Sequence, residues 1–325
     1  MTIVVMKKTL ALLAVIPLVS LAACGSSDDG GAGGDRVKVA ASFYPFAYAV
    51  QQVGGDLVDV ENLTSPGVEP HDLELKPKQV AAVQDADLVV FEEHFQNAVD
   101  EAVDQADRSD DDTVDVASVV ELKPTQPGGE EEHADEDHGG GDDHAHEGHD
   151  HGDEDPHTWL DPDNMIAITQ AVESKLAKID PAHADQYAAN ATAFETELTA
   201  LGDDFATGLK TCKTRTIVTS HAAFQYLAAR YGLTQVPIAG IDPSNEPSPA
   251  QLADITKLVR AQGITTIFTE ELVSPAIADT IAKETGATTA TLDPIEGLSD
   301  DTKDETYLTL MRKNLDTLKK ANGCS

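Results

Sequence analysis

The chain has 325 residues, a formal net charge of −36 and a pI near 4.3. Such acidity makes nucleic acid a poor partner, because its phosphates need neutralising cations, and the same field draws cations in. Three cysteines, none in a CxxC pair, argue against a cysteine metal cluster or a dithiol redox motif.

The first 23 residues read as a lipoprotein signal peptide. Lys7 and Lys8 precede the apolar run LALLAVIPLVSLAA, too short for a comfortable membrane span and ending in small residues. Leu21-Ala22-Ala23-Cys24 has the form of a bacterial lipobox, so cleavage before Cys24 and lipid on that cysteine are expected. Residues 24–35, rich in Gly, Ser and Asp, read as a flexible tether. An exported chain tolerates disulfides, and with Cys24 lipidated only one intramolecular pairing remains, Cys212 with Cys324.

From residue 36 the chain alternates short β-rich runs with helical patterns, the mark of an α/β fold with mostly parallel sheets. Strands are predicted at 37–43, 57–64, 87–91 and about 113–116, with helices at 45–54, 76–86 and 95–106. A His- and acid-rich tract follows. Glu130 to Glu154 holds twelve carboxylates, five glycines and no Lys or Arg. It has no apolar face to fold around, so a disordered loop over 125–155 is expected. After it come a helix at 161–180, with Asp161 as N-cap and Pro162 in the first turn, and an unusually long helix over about 182–210. The second half repeats the alternation, with strands at 214–220, 234–240, 264–270 and 287–293 and helices at 221–232, 248–263, 274–286 and 302–322. The expected organisation is an α/β lobe over 36–181, a linking helix over 182–210 and a second α/β lobe over 211–325. In open α/β sheets ligands sit beyond the carboxyl ends of the strands, which places the binding cleft between the lobes.

Three histidines outside the tract lie at strand-to-helix junctions or just before a helix: His71 in SPGVEPHDLELKP, His157 in DPHTWLDPDN and His221 in TIVTSHAAF. Asp293, at the end of ATTATLD, is placed similarly. Three imidazoles and one carboxylate suit four-coordinate Zn²⁺ rather than the oxygen-seeking Mg²⁺ or Ca²⁺. His183 and His94 read as surface residues.

The motifs PHDLELKP, HTWLDPDN, SHAAFQYLAARYGL, SNEPSP, TEELVSP…IAKETG and LDP together resemble the zinc-binding branch of the metal-ion ABC-transporter solute-binding proteins (cluster A-I, TroA-like). The resemblance runs from about Val37 to the C-terminus and implies two α/β lobes, a rigid linking helix with small lobe motion, and a metal buried between the lobes. It puts His71, His157 and His221 on histidine ligand positions, the last being histidine in zinc binders and usually glutamate in manganese binders. It puts Asp293 on the second-lobe carboxylate, a position that some zinc members leave to water or to a nearby glutamate, here Glu296 or Glu69. Zinc members often carry a His-rich loop before the second ligand. His133, His138, His144, His146, His149 and His151 are therefore expected to form an auxiliary zinc binder, weaker than a preorganised cleft because its ligands must be ordered.

The function expected is a monomeric, extracytoplasmic, lipid-anchored protein that takes Zn²⁺ as cargo and delivers it to an ABC permease in the membrane. The chain has no GxxxxGK[ST] loop to hydrolyse ATP itself. The alternatives are a manganese or iron carrier of the same family, a surface zinc hydrolase, which here lacks an HExxH motif, and an adhesin or zinc buffer.

Overall fold

A computed structural model describes residues 36–125 and 154–325. Residues 36–325 belong to one compact unit. The signal, Cys24, the tether and the six tract histidines lie outside the described residues. Among the described residues no helix is long and apolar enough to cross a membrane.

The first half runs β1 (Val37–Ala41), α1 (Tyr44–Gly54), β2 (Val58–Asn62), α2 (Pro77–Asp85), β3 (Leu88–Phe91), α3 (Asn97–Gln105) and β4 (Thr113–Asp115). Its strands form a parallel sheet in the order β2-β1-β3-β4. Every residue of β3, LVVF, is buried, as expected of a strand covered by helices on both faces. A two-residue ladder, β5 (Lys123–Pro124) with β6 (Glu154–Asp155), brackets the tract. Sequence periodicity carries no signal for so short a pair, and it places the last two residues of the loop expected over 125–155 in a strand.

Two helices follow, α4 (Pro162–Ile179) and α5 (Ala184–Gly208). Asp161 caps α4 by accepting from the Asp163 amide at 3.0 Å, which satisfies one of the donors a helix start leaves free. In α5 the buried residues Tyr187, Ala191, Phe194, Leu198, Leu201 and Phe205 alternate three and four positions apart, one helical stripe. The second half runs β7 (Thr216–Thr219), α6 (Gln225–Tyr231), β8 (Thr234–Pro237), α7 (Pro249–Gln262), β9 (Thr266–Thr269), α8 (Ala276–Thr285), β10 (Thr288–Thr291) and α9 (Tyr307–Asn322). Its parallel sheet has the order β10-β9-β7-β8. Two helices start later than their sequence patterns suggest. His221 to Phe224 form a turn ahead of α6, and the residues from 302 to 306 precede α9, whose N-cap is Thr306.

One apolar cluster runs through both halves. It joins Phe43, Phe46 and Val50 from the first, Trp159 and the stripe of α5, and Phe224, Leu227, Tyr307 and Met311 from the second. Smaller clusters cover the outer face of each sheet. The two halves thus share a core across α4 and α5. Cys212, ahead of β7, is disulfide-bonded to Cys324 after α9.

Candidate metal centre

The site is assembled from segments that follow strand ends. The loop after β2 brings His71, the one after β7 brings His221, the one after β9 brings Glu270, and the one after β10 brings Glu296. His157 arrives from the segment after β6, ahead of α4. Among the described residues His71, His157, His221 and Glu296 form one group able to hold a metal, with ligand atoms all within 4.8 Å of one another. All four are buried.

Glu296 Oε1 stands 3.5 Å from His71 Nε2, 3.4 Å from His157 Nε2 and 3.3 Å from His221 Nε2. The Nε2 atoms of His157 and His221 are 3.1 Å apart. A tetrahedral Zn²⁺ with bonds of about 2.0–2.1 Å holds its ligand atoms about 3.3–3.4 Å from one another. Those four spacings fit a four-coordinate ion of that size, and the nitrogen-rich set disfavours Ca²⁺ and Mg²⁺.

Two of the imidazoles are aimed by carboxylates. His157 donates from its amide (2.9 Å) and pairs through Nδ1 (2.8 Å) with Asp155 Oδ1. His221 donates from its amide to Glu270 Oε1 (3.1 Å) and pairs through Nδ1 with Oε2 (2.7 Å). A carboxylate at Nδ1 holds the proton there and leaves the Nε2 lone pair facing the metal position. His71 is held differently. Its amide donates to Glu69 Oε2 at 3.0 Å, and its ring meets Phe95 edge-on, 4.8 Å between centroids. Gln96 steadies the same loop by donating to the Pro70 carbonyl at 3.1 Å.

The electrostatics follow from these partners. Burial alone would lower His221, but the carboxylates of Glu270 and Glu296 outweigh it and raise its pKa well above the ordinary value. Burial is likewise outweighed at His157, where the Asp155 hydrogen bond raises the pKa. Burial dominates at His71 and lowers it to about 4. Glu296, though buried, is held well below the usual carboxylate range by the surrounding imidazoles. Burial and the nearby Glu296 charge push Glu69 up to about 8.

The structure brings His71, His157 and His221 together with Glu296, and Asp293 is not in that group. Asp293 is engaged elsewhere only in part, its Oδ2 being buried without a hydrogen-bond partner among the described residues. Its Oδ1 accepts from the Ile295 amide at 2.7 Å, while its backbone is gripped by Asn314 of α9, which accepts from the Asp293 amide (2.9 Å) and donates to its carbonyl (2.6 Å). Trp159 Nε1 donates to the Pro294 carbonyl at 2.7 Å. Ile295, immediately before Glu296, takes φ 60°, a left-handed conformation costly for a β-branched residue. Burial raises the Asp293 carboxyl to about 7. Glu69 caps the His71 loop and is absent from the group of four. Asp155 and Glu270 were missed by sequence reading, although Asp155 lies in the DPHTW motif and Glu270 ends the β9 pattern. His94 and His183 are exposed.

Comparison with known proteins identifies the family. The family model described as "Zinc-uptake complex component A periplasmic" (ZnuA) matches residues 39–321. The zinc-binding lipoprotein AdcA of Streptococcus pneumoniae is 40% identical over 317 residues, 97% of this chain, and the chain spans 61% of that relative's length. The high-affinity zinc uptake system protein ZnuA of Bacillus subtilis is 37% identical over 305 residues, 92% of each chain. Among solved structures, the Zn(II)-bound ZnuA-like domain of Streptococcus pneumoniae AdcA matches at TM-score 0.71 and 34% identity, covering 88% of this chain and 99% of that one. The laminin-binding protein Lmb of Streptococcus agalactiae, described as having adhesin and metal-transporting activity, matches at TM-score 0.73 and 33% identity, covering 88% and 99%. A family model matched over residues 39–321 and a relative 37% identical across 92% of both chains show that the chain belongs to the ZnuA family of zinc-uptake components.

Proposed function

We propose that this chain is an extracytoplasmic solute-binding protein that captures Zn²⁺ through His71, His157, His221 and Glu296 and delivers it to an ABC permease. The observation that carries the reading is the spacing of three imidazole nitrogens around one carboxylate oxygen, 3.3–3.5 Å, which suits a tetrahedral zinc ion. A set of three nitrogens and one oxygen favours zinc over manganese. Four protein ligands also leave no open position for an activated water, which favours carriage over hydrolysis. Lipid on Cys24 would keep the carrier at the outer face of the membrane as a monomer, with the lobes at 36–181 and 211–325 meeting across the helix at 182–210. The tract histidines would serve as accessory zinc binders.

The test is growth of a strain lacking this gene under zinc limitation. The intact chain should restore growth, and His221→Ala should not, although it is exported and folded. Full rescue by His221→Ala would overturn the reading.

A further inference from the structure

Tyr226 is the second residue of α6, the helix that follows the His221 turn, and it is buried. Its hydroxyl accepts from the Lys123 amide at 2.9 Å and donates to the Asp155 carbonyl at 2.7 Å. Lys123 and Asp155 are register partners in the β5–β6 ladder, so one hydroxyl spans the ladder at the pair that carries Asp155. Asp155 in turn takes both N–H groups of His157 on a single carboxylate oxygen.

A two-pair ladder is too short to fix its own strands, since even an isolated hairpin is marginal in water. Any slip of Asp155 would swing the His157 ring with it. The ring must hold Nε2 3.1 Å from that of His221, which is five residues ahead of Tyr226. The second nearby tie, Gln225 Nε2 to the Pro124 carbonyl at 3.1 Å, reaches the ladder at the other pair, Pro124 with Glu154.

Resting on the zinc-carrier reading, we propose that Tyr226 is a positioning residue for zinc capture. Its hydroxyl locks Asp155 to the His221 helix and so sets the spacing of the His157 and His221 ligand atoms before metal arrives. It touches no metal and acts through Asp155.

The test compares the full-length chain with Tyr226→Phe, Gln225→Ala, Asp155→Asn and the Tyr226→Phe/Asp155→Asn double variant. Zinc affinity is read by competition with a chromophoric chelator, and ligand geometry by the visible absorption of bound Co²⁺. Thermal melts identify variants that fold. Tight binding by the unaltered chain is required by the carrier reading, and its absence overturns that reading rather than this one. With the unaltered chain binding, Tyr226→Phe should weaken zinc about ten-fold, the lower end for groups that orient a metal-bound histidine, and should alter the Co²⁺ spectrum. Gln225→Ala should do neither. In the Asp155→Asn background the further loss from Tyr226→Phe should shrink to a small fraction of its effect alone. Unchanged affinity and spectrum in a folded Tyr226→Phe protein, an equal loss in Gln225→Ala, or full additivity with Asp155→Asn would each overturn the proposal.

Discussion

Glu270→Gln changes one atom and should disable His221. Glu270 has two jobs. Oε1 accepts the His221 amide at 3.1 Å, and Oε2 accepts from Nδ1 at 2.7 Å. A glutamine cannot do both. If its oxygen keeps the amide bond, its NH₂ faces Nδ1, makes that nitrogen an acceptor and sends the ring proton to Nε2, where it blocks the metal. If the side chain flips, the amide N–H of His221 is left facing a donor in a buried site, at a cost of about 1–3 kcal/mol. Either route corresponds to roughly a 5- to 150-fold loss of zinc affinity. The assay is chelator-competition titration of purified protein, with Glu271→Gln as a control that removes the same charge one residue on. Wild-type affinity in a folded Glu270→Gln protein would refute the claim that this carboxylate sets the His221 tautomer.

Four further outcomes follow from the same geometry. Glu296→Gln should weaken zinc more than Asp293→Asn in the same titration, because only Glu296 stands among the three Nε2 atoms. Zinc affinity should rise with pH from about 5 to 8. The carboxylate-paired His157 and His221 have raised pKa values and hold protons that zinc must displace, whereas His71, at about 4, is already neutral. Calorimetry in buffers of different ionisation enthalpy should therefore show proton release near neutrality, and a flat affinity profile would contradict imidazole ligation. Trp159→Phe should lower stability to urea by about 1–3 kcal/mol, since it strands the buried Pro294 carbonyl that Trp159 now satisfies. Replacing Cys212 and Cys324 with serine should lower stability by up to about 4–5 kcal/mol on the chain-entropy account, seen as a lower Tm. Zinc affinity should hold, because the bond lies ahead of β7 while His221 follows its other end.

The alternation of strand and helix was legible because parallel strands covered on both faces read as apolar runs and the helices carry periodic stripes, as in LVVF of β3 and the six buried positions of α5. The loop placement of His71, His157 and His221 was legible for the same reason, since the ends of those elements show in the pattern. The fourth member of the buried group was not. Asp293 and Glu296 are three residues apart in LDPIE, and between them lies a left-handed Ile295 whose amide donates to Asp293 Oδ1, in a segment tied at Asp293 by Asn314 and at Pro294 by Trp159. Nothing in local propensity signals a β-branched residue in that conformation. The carboxylates behind the histidines were hidden differently. Glu270 reaches His221 across 49 residues of chain because β7 and β9 are neighbours in the sheet, and strand order cannot be read from periodicity.

The central claim is that capture takes place in the cleft. The most direct measurement is a calorimetric zinc titration of the chain from residue 25 onward, intact, with residues 126–153 removed, and with His221→Ala. The account predicts one tight site that survives the deletion and disappears in His221→Ala. Loss of all tight binding on deletion, with His221→Ala still binding, would contradict it and move the function to the histidine tract.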